Sequence, residues 1–162
     1  MNGALDILTP RGRIAAQDQL EAAEIVFRHS TNIWFVHTPT DDAAAVDGFI
    51  IKDNCAHALA EIKSRDNTLE DMMQKFGGKW LLTHQKLLDI HALSRLMRIP
   101  AFGFVYLKPS ACVLAVRLTD KTGLIVCRYK ILATETAATC NGGLARRENA
   151  FIDVSQAKIY KA

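Results

Sequence analysis

Three stretches of the chain have helical character. Residues 15–29 (AAQDQLEAAEIVFRH) are rich in Ala, Leu, Glu and Gln and contain no Gly or Pro, which predicts a helix. The most regular pattern covers residues 80–98, where apolar side chains repeat every three or four positions until Ile99-Pro100 ends the segment. A short helix is expected at residues 69–76, just before Gly77-Gly78.

Other apolar stretches are short, rich in β-branched and aromatic residues, and bounded by turn residues, as is typical of strands. They cover residues 33–37, 46–52, 57–63, 101–107, 111–118 and 124–132. Asp53-Asn54 is a turn-forming pair that joins the second and third strands into a β-hairpin, and residues 120–123 predict a turn before the last strand. The segment after residue 132 has no clear pattern. The order of elements predicts an α/β fold, a mixed sheet flanked by helices.

Length and composition indicate one ordinary globular domain. The chain has 162 residues, 49% hydrophobic and 23% charged, so we expect a single domain with a core at about residues 15–132 and a C-terminal extension at 133–162. Because no apolar run reaches the roughly 20 residues of a membrane span and no leader pattern begins the chain, we expect no membrane partner and a cytoplasmic location. The four cysteines form no CxxC pair, which argues against a zinc site or a disulfide framework. A net charge of +3 permits a nucleic-acid partner without requiring one.

The predicted hairpin brings three charged residues together. If its turn centres on Asn54, Asp47 and Glu61 lie directly opposite each other, with side chains on one face about 5 Å apart. Lys63 lies two residues beyond Glu61 and returns to the same face, while Ile62 points to the other. Asp47, Glu61 and Lys63 are therefore expected to form a cluster at the open end of the hairpin.

Two adjacent carboxylates repel each other, and a divalent cation between them removes that cost. Oxygen ligands favour Mg²⁺, with Mn²⁺ as a substitute, and a nearby lysine can orient a water and offset charge on a phosphoryl transition state. A Glu-x-Lys tripeptide also occurs by chance, often on a solvated strand edge. Its position at the end of a hairpin with Asp47 is what favours an active site.

Asp47 with Glu61-Ile62-Lys63 resembles the PD-(D/E)XK nuclease signature, with Val46 in place of the usual proline. The stretch AEIKSR is especially similar to the archaeal-type Holliday-junction resolvases and their phage relatives, and the resemblance covers roughly residues 15–108. It implies a restriction-endonuclease-like fold. It also implies that Asp47, Glu61 and the backbone carbonyl of Ile62 bind the metal while Lys63 orients the attacking water.

The same resemblance implies two further site residues. Family members carry a glutamate on a helix near the amino terminus, and Glu21 has the matching separation from Pro39, with Glu24 as a second candidate. They also carry a glutamine on the long helix, here Gln85, which would hold Lys63 or the scissile phosphate. Each of these residues could instead be an exposed helical side chain.

We therefore expect a Mg²⁺-dependent, structure-specific DNA endonuclease acting in recombination or repair, most similar to Holliday-junction resolvases and dimeric because both strands of a junction must be cut. A VRR-type repair nuclease or restriction endonuclease of the same fold is the first alternative, and a catalytically inert DNA-binding protein the second. Lys86 and Arg146-Arg147 are further candidates for phosphate contacts. The expected DNA-binding residues are Arg11, Arg13, Thr40, Arg65 and Lys79.

Overall fold

The computed structural model describes residues 9–39, 44–139 and 142–162, and these residues form two α-helices and nine strands. The helices are α1 (Pro10–Phe27) and α2 (His84–Met97), with a short π-helical turn at Asp71–Lys75 and a 3-10 turn at Lys108–Ser110. The strands are β1 (Ile33–His37), β2 (Gly48–Lys52), β3 (Cys55–Arg65), β4 (Lys79–Thr83), β5 (Ala101–Leu107), β6 (Cys112–Thr119), β7 (Tyr129–Thr139), β8 (Gly142–Asp153) and β9 (Lys158–Lys161).

The strands form two sheets. The larger has the order β1-β2-β3-β5-β6-β9, in which β3 and β5 are parallel and every other neighbouring pair is antiparallel. The smaller is antiparallel, with the order β4-β8-β7. The expected α/β fold with a mixed sheet flanked by helices is confirmed.

The two faces of the larger sheet bury separate apolar clusters. On one face, α1 packs through Ala22 and Ile25 against the side chains of Ile62 and Phe104. On the other face, α2 and the smaller sheet cover a second cluster. The absence of a side chain at Gly103 leaves room there for the ring of Trp80, which is 1% exposed.

Both α-helices begin at other residues than predicted. Helix α1 begins at Pro10 rather than residue 15, because the Thr9 side chain caps it by accepting a hydrogen bond from the Gly12 amide (3.0 Å) and proline suits the first helical position. The prediction of a helix from residue 80 is wrong for residues 80–83. They belong to β4, where alternate residues are buried, and α2 begins only after Thr83, whose side chain caps the Lys86 amide.

The C-terminal part of the chain belongs to both sheets. The predicted strand at 124–132 is wrong in its first half, because β7 begins at Tyr129 and only Ile125 forms an isolated bridge before it. Beyond residue 132, β8 pairs with both β4 and β7, and β9 extends the larger sheet beside β6. Ala150, Ile152 and Val154 are each 0% exposed, so the segment expected to be an extension contributes to the main core. None of the described helices is both long and apolar enough to cross a membrane.

Candidate active site

The hairpin of β2 and β3 sets the register on which the site depends. Gly48 pairs with Ala60, and the Asp47 amide donates to the Ala60 carbonyl (3.0 Å), so Asp47 lies opposite Glu61. The route to this register differs from the predicted one. The turn is the two-residue pair Asp53-Asn54, both with positive φ, and a bulge in β3 near His57 adds the residue that restores the pairing.

Lys63 joins the two carboxylates. Its Nζ atom is 2.9 Å from Glu61 Oε1 and 3.6 Å from Asp47 Oδ2. The Glu61 side chain is fully buried, and Lys86 from α2 places a second ammonium group 3.5 Å from Oε2. The Lys63 ammonium lies within hydrogen-bonding distance of Oε1, whereas Oε2 accepts no hydrogen bond from any residue that the structure describes. Glu61 thus retains lone pairs that no donor occupies.

The backbone of Ile62 completes the cluster. Its amide donates to Asp47 Oδ2 at 2.7 Å, and in a strand the N–H and C=O of one residue point to the same side. The Ile62 carbonyl therefore faces the edge at which β2 has ended, beside Asp47. The Ile62 side chain is 2% exposed and packs on the opposite face, under α1. The structure brings together Asp47, Glu61, Lys63 and the Ile62 carbonyl.

Burial and charge act against each other in this cluster. Burial raises the pKa of Glu61 above its ordinary value, although the ammonium groups of Lys63 and Lys86 oppose the shift. Burial also disfavours the charged form of Lys63, but the carboxylates of Glu61 and Asp47 outweigh it and raise the pKa of Lys63. Lys63 therefore stays protonated at neutral pH, and a further cation beside Glu61 would favour its ionised form.

The donor set fits a hard divalent cation. Asp47, Glu61 and the Ile62 carbonyl offer only oxygen atoms, which suits Mg²⁺ or Mn²⁺. Glu61 Oε2, which accepts no hydrogen bond from a described residue, supports this fit. Within the described ranges, no group of three or more His, Cys, Asp or Glu side chains is placed to hold a metal, and the third oxygen donor of this set is the Ile62 carbonyl.

Glu21 does not lie with this cluster. It is exposed on α1, across the sheet from Glu61, and its Oε2 accepts a hydrogen bond from the Tyr106 hydroxyl at 3.4 Å. The α1 residue nearest the motif is Gln19, whose Nε2 donates to the Ile62 carbonyl at 3.4 Å and whose Oε1 is buried without a partner in the described structure. Glu24, the second candidate, is exposed.

The helical periodicity of α1 contains the signal for Gln19. Residues 19, 22, 23 and 26 are spaced by three and four positions, so Gln19 shares a face with Ala22 and Ala23, which contact the sheet. Glu21 lies off that face. The separation from Pro39 favours Glu21 in the sequence, but in the structure Glu21 contacts Tyr106 and Gln19 contacts the Ile62 carbonyl.

The start of α2 contributes differently from the expectation. Gln85 lies beside the cluster, but its Nε2 donates to Asp89 Oδ1 (2.9 Å) and not to Lys63. Lys86, expected only as a phosphate contact, instead reaches Glu61 and donates to the carbonyls of Ala44 (3.2 Å) and Ala45 (3.1 Å). Lys86 lies in the first turn of α2, where its amide is capped by Thr83. A helix that began at residue 80 would not predict this position.

The cluster lies at the wall of a cleft of about 630 Å³ between β3, the start of α2 and the β7–β8 hairpin. Its basic lining residues are Lys63, Arg65, Lys86 and Arg147.

The remaining expected DNA contacts are scattered. Lys79 does not line this cleft and forms an ion pair with Asp153 (2.8 Å). Arg11 and Arg13 are exposed near the start of α1, and Thr40 lies outside the described residues. Of the four such residues that the structure describes, only Arg65 lines the cleft.

Comparisons of this chain with protein-family models, curated proteins and solved structures found no match. The likeness to PD-(D/E)XK nucleases therefore rests on the motif and on the geometry of the residues that carry it.

Proposed function

We propose that this protein is a metal-dependent nuclease of the PD-(D/E)XK type that hydrolyses phosphodiester bonds in DNA. The observation that carries the proposal is the convergence of Asp47, Glu61, Lys63 and the Ile62 carbonyl at the edge of a basic cleft. A lone Glu-x-Lys on a solvated strand edge would not have a fully buried glutamate. Burial of an ionisable group is costly, and such groups cluster at functional sites.

Each residue has a distinct role in the proposed reaction. Asp47, Glu61 and the Ile62 carbonyl would hold Mg²⁺, which activates water and offsets charge on the phosphate when bound. The Ile62 amide fixes the orientation of Asp47 through the 2.7 Å hydrogen bond. Lys63, whose ammonium group lies beside both carboxylates, would donate hydrogen bonds to the attacking water or to a phosphate oxygen.

The finer substrate assignment follows from the resemblance to junction resolvases. We propose branched DNA, Holliday junctions among them, as the substrate, a homodimer as the active form, and products with 5′-phosphates. Four-way junctions, flaps, single strands and linear duplex, offered in parallel with Mg²⁺, test this assignment. Equal cutting of plain duplex would favour a restriction-type or VRR-type nuclease and overturn the junction proposal alone.

The test of the site itself is the substitution Asp47→Asn. We expect Mg²⁺-dependent cleavage to fall by at least about 100-fold, the scale of losing an electrostatic group from a reaction centre, while DNA affinity is retained. Asp66→Asn removes a carboxylate that is 85% exposed and is the matched control, with activity unchanged. Cleavage that survives Asp47→Asn would show that the reaction centre lies elsewhere.

One observation favours a catalytically inert DNA-binding protein instead. Two ammonium groups already contact Glu61, and this arrangement could neutralise the site without a metal. Calorimetric titration with Mn²⁺ separates the two functions. A nuclease should bind Mn²⁺ in wild type and lose that binding in Asp47→Asn, whereas an inert protein should bind DNA but show no Mn²⁺ binding that depends on Asp47.

A further inference from the structure

Two arginines in the cleft have no acidic partner within the described chain. Arg65 donates from Nη1 to the Ser64 carbonyl (2.8 Å) and from Nη2 to the Leu81 carbonyl (3.4 Å). Arg147 donates from Nε to the Thr136 hydroxyl (3.2 Å) and from Nη2 to the carbonyls of Ala137 and, at 3.2 Å, Ala138. Both side chains are partly buried, and neutral acceptors hold them in place without cancelling their charge.

The other cations of the cleft are in a different state. Lys63 and Lys86 each form an ion pair with Glu61. Partly buried arginines without a counter-ion retain most of their capacity to attract an anion, because the guanidinium does not lose its proton at neutral pH. Arg65 and Arg147 are therefore the residues of this cleft whose charge is available for a ligand.

The two arginines line the same cleft from different sheets. Arg65 is on β3, two residues after Lys63 and on the same face, so it lies about 7 Å further along the strand from the reaction centre. Arg147 is on β8, in the hairpin that closes the other side of the cleft. The amino-terminal end of α2 also borders the cleft, and its first turn contains no acidic residue, so its dipole adds positive potential.

We propose that Arg65 and Arg147 bind a phosphate of one DNA strand, next to the phosphate that is cleaved, so that the strand passes between β3 and the β7–β8 hairpin. The inference rests on the proposed nuclease function and extends it to the substrate-binding role of Arg147 and its hairpin. A phosphate would supply the anionic acceptor that both arginines lack, and a guanidinium can bind it with two parallel hydrogen bonds. Neither arginine contacts the reacting atoms, so both are positioning residues.

Salt dependence of DNA binding tests this proposal directly. Binding of a labelled DNA junction is measured at several salt concentrations in the Asp47→Asn background, with and without Arg65→Ala or Arg147→Ala. Each arginine substitution should weaken binding and reduce the slope of log K against log salt, and the two substitutions together should reduce it by about 0.7–0.9, the value for one lost phosphate contact. Arg146→Ala removes the same charge from the exposed, opposite face of β8 and should leave the slope unchanged.

Two further measurements separate binding from folding and from free phosphate. In the active protein, both substitutions should raise KM by more than they lower kcat, and Arg147→Lys, which keeps the charge but not the planar fork, should give an intermediate effect. Thermal unfolding of each variant shows whether it folds. If Arg147→Ala destabilises the β7–β8 hairpin, Arg65→Ala on β3 still tests the phosphate site. A deoxynucleoside monophosphate that competes as well as DNA would indicate a free-nucleotide site and overturn the strand-binding proposal.

The outcomes distinguish this proposal from the function on which it rests. If the wild type cleaves DNA but neither arginine changes the salt slope, or Arg146→Ala changes it equally, the phosphate site is refuted and the nuclease remains. If DNA binds with the expected slopes but is not cleaved, the phosphate site stands and the nuclease is refuted. Failure of the wild type to bind DNA would refute both.

Discussion

The two faces of β3 have opposite properties although they alternate along one strand. Towards α1, Ala58, Ala60 and Ile62 are at most 2% exposed and pack into an apolar cluster. On the face towards the cleft, Leu59 is buried and apolar. The next two residues on that face, Glu61 and Lys63, are charged and lie nearer the end of the strand. The first face stabilises the sheet, and the second presents the candidate site.

The end of β2 beside β3 explains how the chain accommodates charged residues next to the core. The motif lies where β2 has ended, so the backbone of Ile62 has no strand partner on that side and bonds to Asp47 instead. A functional cluster can form at this end of β3 because the alternate residues of the strand, which face α1, pack into the apolar cluster and hold the strand in place. The free energy of unfolding and the cleavage activity should therefore respond separately to substitutions at adjacent positions of β3.

The largest effect on stability is expected from Ile62→Ala. The side chain is 2% exposed, and truncating a buried isoleucine lowers the free energy of unfolding by about 2–5 kcal/mol through lost burial and the cavity left behind. Denaturant unfolding measures this loss. The Ile62 backbone contacts remain, so cleavage per folded molecule should change little. Ile159→Ala, at a side chain 43% exposed, is the control, and an equal loss there would contradict the comparison.

A smaller effect of opposite sign is expected from Glu61→Gln. The substitution removes a buried charge, while Lys63 keeps Asp47 as a partner. Because burial raises the pKa of Glu61, its ionised form is disfavoured in the folded protein, and we expect the free energy of unfolding at neutral pH to rise without metal, while Mg²⁺-dependent cleavage is lost. Glu70→Gln, on an exposed residue, should change neither quantity. A marked loss of stability in Glu61→Gln would show that its ion pairs are structural.

The features that could be predicted from sequence depend on local register. The spacing of Asp47, Glu61 and Lys63 within one hairpin predicts their cluster, because strand alternation and a short turn leave few alternatives. The bulge near His57 was not predictable, and the register was right because a two-residue turn and one extra residue compensate each other. Local pairing is thus predictable where bulges are absent or where, as here, another irregularity offsets them.

Features that depend on distant packing were not predictable. Arg147 reaches the cleft only because β8 pairs with β4, a strand that the regular apolar pattern of residues 80–98 disguised as part of a helix. Glu21 was chosen by separation along the chain, but the face of α1 that contacts the sheet excludes it from the motif. In both cases tertiary contacts decide the outcome, and local propensity does not contain them.

The smallest effect is expected at Asp153, the opposite case to Glu61. Asp153 is part of β8, which borders the cleft, but its carboxylate accepts hydrogen bonds from Lys79 (2.8 Å) and from the Ser155 hydroxyl (2.6 Å) and amide (3.0 Å). These donors hold the pKa of Asp153 well below its ordinary value. A carboxylate with a lowered folded pKa stabilises the protein above the unfolded value of about 4, and the contribution is lost as the pH falls towards the folded pKa.

Asp153→Asn should therefore lower the free energy of unfolding at pH 7 by at most about 1 kcal/mol, as for a partly exposed ion pair. Unfolding measured from pH 7 to pH 2 should show the difference from wild type shrinking below about pH 4, because Asp153 then takes up a proton in the unfolded chain while it stays ionised in the folded protein. Glu70→Gln controls for the change in net charge. A difference independent of pH would show that packing, and not the ionised carboxylate, sets the stability at Asp153. The contrast with Glu61→Gln would then no longer distinguish a bonded carboxylate from an unbonded one.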